Sequence, residues 1–522
     1  MELIYLWVEN YKNIHRQGFN FSPRFECEFK DEYDEEGKLK DNCELIICDK
    51  KKKECKDNDY IENFFGDNIN VTAIVGKNGS GKSSVLELIL ESIEEDNNIN
   101  YILVFEDSTK ELKYMTNIVI ETKLGSSSEL KNMQNIFVYS KSNHAHYAFR
   151  KYNLIEINKK SIVNILATEY GKPCTLFEIS TFMYLPLKIE IKLREPNELI
   201  MESKNFISPL DRESIQEEFL LLNDKYHQFL FISYIRKMGV KYDKKILNDK
   251  VKLIKETNNL ISEIDFNKYF LTLLPKNIFD ITKLTEVEKN IYIREKGYSH
   301  FFNFDMIDEE ERRFNHLSHG EQMMFGQLLN FYFFSNSKNE HLIFLLDEPE
   351  VALHPNWQKQ YLNEVITLCQ KMKKQYHFIF TSHSPFLLSD IPKQNIIFLD
   401  KEENGNSKVV NGLKDKKQTF GANIHTLLSD SFFMEDGLMG EFAKGKIEEV
   451  IDYLNNKESP IKDNDEAQKL INIIGEPIIK NQLQKMLDSK RLSKIDEIDT
   501  IRTEINDLEK RLKEIEDAND KS

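Results

Sequence analysis

VTAIVGKNGSGKSSVLELIL, residues 71–90, decides how the rest of the chain is read. An apolar run, Val71 to Val75, leads into Gly76-x-x-x-x-Gly81-Lys82-Ser83, and an apolar-periodic segment follows at once. The pattern predicts strand, glycine-rich loop and helix. Glycine is needed where backbone N–H groups must turn inward around a phosphate. The start of the next helix adds partial positive charge at the same place. Lys82 is positioned for β- and γ-phosphates and the Ser83 hydroxyl for Mg²⁺. Asn78, Gly79, Ser80 and Ser84 complete the nucleotide-contacting stretch.

Three more segments follow in order. Leu317-Ser318-His319-Gly320-Glu321-Gln322 precedes the apolar segment MMFGQLLNFYFF; Ser318 and Glu321 have the spacing of a capping box. LIFLLDEPE, residues 342–350, is a strand that delivers Asp347 and Glu348 at its C-terminal end, where open α/β sheets bind ligands. Asp347 is a candidate Mg²⁺ ligand and Glu348 a candidate general base. FIFTSHSP, residues 378–385, is a strand ending at Thr381-Ser382-His383, with His383 aimed at the γ-phosphate.

The four segments together resemble the ABC-type ATPase head, over about residues 1–145 and 312–402. The resemblance implies a mixed α/β sheet with a phosphate loop, binding ATP and Mg²⁺. It implies catalytic roles for Lys82, Glu348 and His383. It also implies a homodimer of heads, or a higher oligomer, in which Ser318 and Gly320 of one subunit face the γ-phosphate held by the other. His319 stands where that family often has glycine, and the glutamine loop is unassigned because Gln134 precedes the strand NIFVYS. The opening strand followed by Asn10-Tyr11-Lys12-Asn13 resembles chromosome-maintenance and recombination-type heads, which implies that Lys12 and Asn13 approach the nucleotide. LDEPEVALHPNWQ, with Glu350, Leu353, His354 and Pro355, resembles the overcoming-lysogenisation-defect group. The layout as a whole is similar to the ATPase subunit of Septu-type or retron-associated anti-phage systems. That implies a separate nuclease partner of the His-Asn-His class and nucleic acid reached through the complex. The alternative is a DNA-repair or chromosome-maintenance ATPase acting directly on DNA.

The chain divides into four parts on this reading. Residues 1–150 are the first half of the head, and 151–311 a helical insertion with few glycines. Residues 312–404 are the second half of the head, and 405–522 a mostly helical tail. Strands are expected at YILVF, NIVIET and NIFVYS. In the tail, Ile498, Ile501, Ile505, Leu508, Leu512 and Ile515 step by three and four, a heptad seam that suits either packing at home or a partner. TFGANIHTLLSDSFFMEDGLMGEFAKGKI is unusually apolar for a linker.

Composition narrows the function classes. The 522 residues carry 71 Lys+Arg against 87 Asp+Glu, a net charge of −16, which disfavours a general nucleic-acid coat. No apolar run approaches the ~20 residues needed to span a bilayer. The first residues lack a basic n-region and a small-residue cleavage site, so a cytoplasmic protein without membrane contact is expected. The six cysteines include no C-x-x-C pair; reduced thiols on a hairpin are expected rather than zinc. No nuclease constellation is visible. His144 and His146 have no companion ligands, and Asp463-Asn464-Asp465 lies in polar, loop-like sequence.

Overall fold

The computed structural model describes residues 1–52, 60–93, 99–127, 136–139, 302–410, 418–431 and 439–519, with shorter pieces between 153 and 280. The described residues form two compact units, Met1–Phe433 and Met434–Ser522. The first unit therefore takes in the start of the tail expected from residue 405.

The first unit is built on one large sheet. Its strands begin with β1 (Glu2–Tyr11) and β2 (Ile14–Asn20), an antiparallel pair. β3 (Phe25–Lys30) and β4 (Glu44–Asp49) form a separate antiparallel hairpin, and β3 alternates buried and exposed. Next come β5 (Ile69–Gly76) and α1 (Lys82–Ile93), then β6 (Tyr101–Glu106), β7 (Leu112–Thr116), β8 (Gly125–Ser126), β9 (Ile136–Tyr139) and β10 (Asn153–Leu154). YILVF and NIFVYS are strands as expected, but NIVIET is not. The strand pairing with β6 is β7, and Ile118 and Ile120 instead pack half-buried over the β3–β4 hairpin.

The insertion contains a helix, α2 (Pro209–Leu220), and also a three-stranded antiparallel sheet. That sheet comprises β11 (Pro186–Leu193), β12 (Ile278–Asp280) and β13 (Phe302–Asp308). The helical period noted in the sequence thus covers only part of it. His144 and His146 lie outside the described residues.

The second half of the head adds α3 (His319–Ser335), β14 (His341–Asp347), α4 (Pro355–Met372), β15 (Gln375–Thr381), α5 (Pro385–Ser389), β16 (Ile396–Lys401), β17 (Ser407–Val410) and α6 (Ile424–Ser431). The sheet order is β10-β9-β14-β15-β5-β16-β17-β2-β1-β6-β7-β8. β9, β14, β15, β5 and β16 run parallel. Both faces of these central strands are covered, which is why they read as unbroken apolar runs. Leu342, Phe344 and Leu346 enter the core on the α3–α4 side, while Ile343 and Leu345 enter the core on the α1 side.

The second unit holds α7 (Glu441–Leu454), α8 (Asn464–Ile473) and the 43-residue α9 (Pro477–Asn519). Its small core is Val450, Leu454, Ile461, Ala467, Ile471, Leu483 and Leu487. Asp463 caps α8, accepting from the backbone N–H of Asp465 and Glu466, which gives the acidic cluster there a structural role. Cys27 and Cys43 are free and buried on the β3–β4 side, whereas Cys48 is disulfide-bonded, a departure from the all-reduced expectation.

Candidate functional site

Register brings the chemistry together. Across the parallel strands Asp347 lies opposite Thr381, Thr381 opposite Ile74, and Leu399 opposite Gly76. The C-terminal ends of β14, β15 and β5 therefore sit side by side at one edge of the sheet, where the loop 76–81 opens into α1.

The loop is shaped by its glycines. A Cβ on Gly76 would lie 2.1 Å from the Leu399 carbonyl oxygen, so no side chain fits. Gly79 and Gly81 have φ of +76° and +94°, the left-handed region that glycine enters without penalty. Asn78 and Gly79 are exposed, while Ser80 is buried with a hydroxyl that finds no partner. Lys82 is buried, and its ammonium donates to the carbonyls of Gly76 at 3.0 Å and Lys77 at 3.1 Å. Burial pushes its pKa down, against the pull of Glu348 and Asp347.

Ser83 donates its hydroxyl to Asp347 Oδ1 at 2.9 Å. The Thr381 hydroxyl donates to the same oxygen at 2.7 Å and accepts the Glu348 N–H at 3.0 Å. Glu348 has φ of +46°, an unusual conformation for a side-chain-bearing residue, and Thr381 holds it there. The Glu348 carboxylate lies 3.4 Å from His383 Nε2. Ser84 is half-buried in the first turn of α1.

Behind this surface, Glu350 is fully buried. Its Oε1 accepts the Ser382 hydroxyl at 2.6 Å and the His383 N–H at 3.1 Å, while Oε2 has no partner. Burial pushes the Glu350 pKa up. Gln327 of α3 donates to the Pro349 carbonyl at 2.9 Å and accepts the Tyr361 hydroxyl at 2.6 Å, fixing the turn after Glu348. Tyr139, at the end of β9, is pushed up to about 12 by burial, with Asp347 and Glu350 adding to the shift. The sequence motif covers Lys82, Asp347, Glu348 and His383. Glu350 and Thr381 stand in segments the sequence singles out, but their hydrogen bonds, like the roles of Gln327, Tyr361 and Ser407, show only in three dimensions. Ser407 donates its hydroxyl to the Ser80 carbonyl, and no local pattern around it marks that role.

The remaining sequence candidates divide. Asn13 reaches the loop, its amide donating to the Gly79 carbonyl at 3.3 Å. Lys12 instead pairs with Glu87 on α1 and is half exposed. Ser318 makes the full capping box with Glu321: its N–H donates to Glu321 Oε2 at 2.6 Å, and its hydroxyl accepts the Glu321 N–H at 3.3 Å. Gly320 is buried, and a Cβ there would sit 2.7 Å from the Ala352 carbonyl oxygen. Ser318 is exposed on the surface.

A nucleotide and a divalent ion suit this arrangement. Asp347 and Glu348 gather around one lysine with Glu350 behind them, so the site carries excess negative charge. No group of three or more His, Cys, Asp or Glu side chains among the described residues could hold a metal unaided. Mg²⁺ habitually takes one or two protein ligands and completes its shell from phosphates and water. Ser83 and Asp347, already in contact, are placed to supply that protein share.

A family profile described as "AAA domain, putative AbiEii toxin, Type IV TA system" matches residues 71–389, and the chain belongs to this family. The match runs from the phosphate-loop strand through the insertion to α5. An uncharacterised protein of Methanocaldococcus jannaschii, MJECL43, is 33% identical over 69 residues, which are 13% of this chain and 17% of that relative. The chain thus spans about one sixth of the length of this relative. Among solved structures, the SMC head domain from Thermotoga maritima is similar at 13% identity and a TM-score of 0.30. That match covers 78% of this chain and 98% of that one. An Smc head from Pyrococcus furiosus, bound to the C-terminal domain of ScpA, gives 15% identity and a TM-score of 0.29, over 78% and 96%. These likenesses are too distant to bear on function. No described helix is long and apolar enough to cross a membrane.

Proposed function

We propose that this member of the AAA family binds and hydrolyses ATP at the edge formed by β5, β14 and β15, and that hydrolysis regulates a separate nuclease in an anti-phage defence complex. The observation that carries the ATPase reading is the convergence of Ser83, Asp347 and Thr381 on one oxygen, with Glu348 and His383 adjacent. The glycine loop holds the phosphates through backbone N–H groups, and Lys82 exchanges its two carbonyl partners for β- and γ-phosphate oxygens. Ser83 and Asp347 hold Mg²⁺, which when bound neutralises phosphate charge. Glu348 orients a water and takes its proton; His383 sits beside it to steady the charge that develops. Asn13 braces the loop from β1–β2. Ser318 and Gly320 of a second copy close the site from the opposite side, so turnover requires a pair of heads.

The defence role is supported by the toxin–antitoxin description of the family and by the Septu-like arrangement of motifs and tail. The partner that fits is a nuclease of the His-Asn-His class, with nucleic acid engaged through the complex. The rival reading is a DNA-repair or chromosome-maintenance ATPase working directly on DNA. Net charge of −16 weighs against it. Affinity purification of the chain from its native host, with mass spectrometry of co-purifying proteins, separates the two. A nuclease retained by wild type supports regulation of a partner. Absence of any nuclease, together with ATP hydrolysis stimulated by added duplex DNA, supports the rival.

A further inference from the structure

Among the described residues of its own unit, nothing covers the apolar seam on the second half of α9. Leu483 and Leu487, in the first half, are buried in the core of their unit. Beyond them Ile498, Ile501, Ile505, Leu508 and Leu512 are each about half to two-thirds exposed. Their spacing assigns Ile498, Ile505 and Leu512 to heptad position a, and Ile501 and Leu508 to position d. A lone helix with a continuous apolar stripe is marginal in water, so the stripe calls for a partner.

Charges beside the seam identify that partner. Positions e are Arg502 and Glu509; positions g are Glu504 and Arg511, all four exposed. In a parallel pair of identical helices, each g position faces the e position five residues later on the other strand. That puts Glu504 against Glu509 twice at the centre of the seam, and Glu497 against Arg502 twice at its start, so repulsion offsets attraction. In an antiparallel pair, e faces e and g faces g. Arg502 of one copy then meets Glu509 of the other, and Glu504 meets Arg511. Twofold symmetry repeats each contact, giving four opposite-charge pairs and no like-charge pair. The same register sets Ile505 against Leu508 and Ile501 against Leu512, so each leucine faces an isoleucine. Among the described residues of the single chain, Arg502 ion-pairs only with Asp499, at 3.8 Å, and both are exposed.

We infer that residues 498–515 of α9 form an antiparallel two-stranded coiled coil with a second copy of this chain, centred between residues 506 and 507. This interface is separate from the proposed pairing of heads and does not depend on it.

Full-length protein without nucleotide provides the test, by sedimentation equilibrium and by photo-cross-linking. Glu509→Arg places two arginines together in the antiparallel pair but relieves the glutamate clash of a parallel one. We expect the dimer dissociation constant to rise about tenfold, as the loss of exposed ion pairs and their replacement by repulsion implies. Adding Arg502→Glu should restore it to about the wild-type value, because opposite charges meet again. A photo-reactive residue replacing Ile501 should cross-link to the peptide of the other copy that contains Leu512. That readout is independent of any contact the heads make. Tighter association in Glu509→Arg, cross-linking of position 501 to position 501, or no cross-link between copies at this helix would each overturn the inference.

Discussion

The hydroxyl of Ser407 donates to the backbone carbonyl of Ser80 at 2.6 Å, although 327 residues separate them. The Ser407 N–H also donates to the Asn13 carbonyl at 2.6 Å. β17 thus ties the phosphate loop to the β1–β2 turn, and the loop's shape is held from outside its own motif. Ser407→Ala would leave a buried carbonyl without its donor. A loss of ~1 kcal/mol in loop order should weaken ATP binding about fivefold. Calorimetric titration with a non-hydrolysable ATP analogue checks this; unchanged affinity would mean that the loop keeps its shape unaided.

Lys82→Ala removes an ammonium buried at the loop. Charge-assisted contacts of this kind contribute about 1.5–3 kcal/mol. ATP affinity should fall by one to two orders of magnitude, roughly as that energy converts. Equal affinity for variant and wild type, by calorimetry, would sink the phosphate-loop assignment.

Glu348→Gln keeps the side chain's size and the backbone bond to Thr381, but removes the base. ATP should remain bound while phosphate release slows by on the order of 10²-fold or more. The variant should also accumulate paired heads, because uncleaved ATP goes on bridging them. Wild-type turnover would exclude Glu348 as the base.

Glu350→Ala strips the acceptor from the Ser382 hydroxyl and the His383 N–H. Each donor left unsatisfied in a buried place costs about 1–3 kcal/mol. Hydrolysis should fall as well, because His383 loses its tether. Glu350→Gln keeps one oxygen in position and should restore most of the stability. Thermal unfolding and phosphate release, measured on both variants, distinguish a positioning role from a packing role: a packing role alone would leave phosphate release unchanged.

Glu2 and His377 give a pH signature. The Asn70 amide donates to Glu2 Oε1 at 2.8 Å and lies 3.1 Å from His377 Nε2. Burial pushes Glu2 up to about 7 and His377 down to about 3. Between pH 4.5 and 7 the folded chain keeps a proton on Glu2 that the unfolded chain has released, so Glu2 costs stability as pH rises. Between pH 6.5 and 3 the unfolded chain protonates its histidine while the folded chain cannot, so His377 costs stability as pH falls. The two oppose each other near pH 5–6. Glu2→Gln should leave the histidine uncompensated and lose about 2 kcal/mol on going from pH 7 to 5, while wild type changes less. Urea midpoints at both pH values decide it.

Reading residues in order determined a definite part of this protein. Gly76 to Ser83 form one contiguous loop, and wrapping a phosphate depends on backbone N–H groups of neighbouring residues, so the site's centre is legible as a string. Asp347 is legible because it ends a buried strand and His383 because it follows one by two residues, and such strands announce themselves as unbroken apolar runs. The capping box at Ser318 is local for the same reason. NIVIET was misread because apolar content alone does not tell a strand from a segment laid over a hairpin. Glu350, Gln327 and Tyr361 carry no local signal of their role. Each is a polar group whose partner lies on another element, and only strand register and helix packing decide which buried donors and acceptors meet. Lys12 shows the same limit: its ion pair with Glu87 on α1 is set by the fold and has no signal in the sequence around either residue. The seam of α9 was visible as a periodicity. That it is not packed on the described residues of its own unit was decided by the tertiary structure, because that unit's core closes at Leu483 and Leu487.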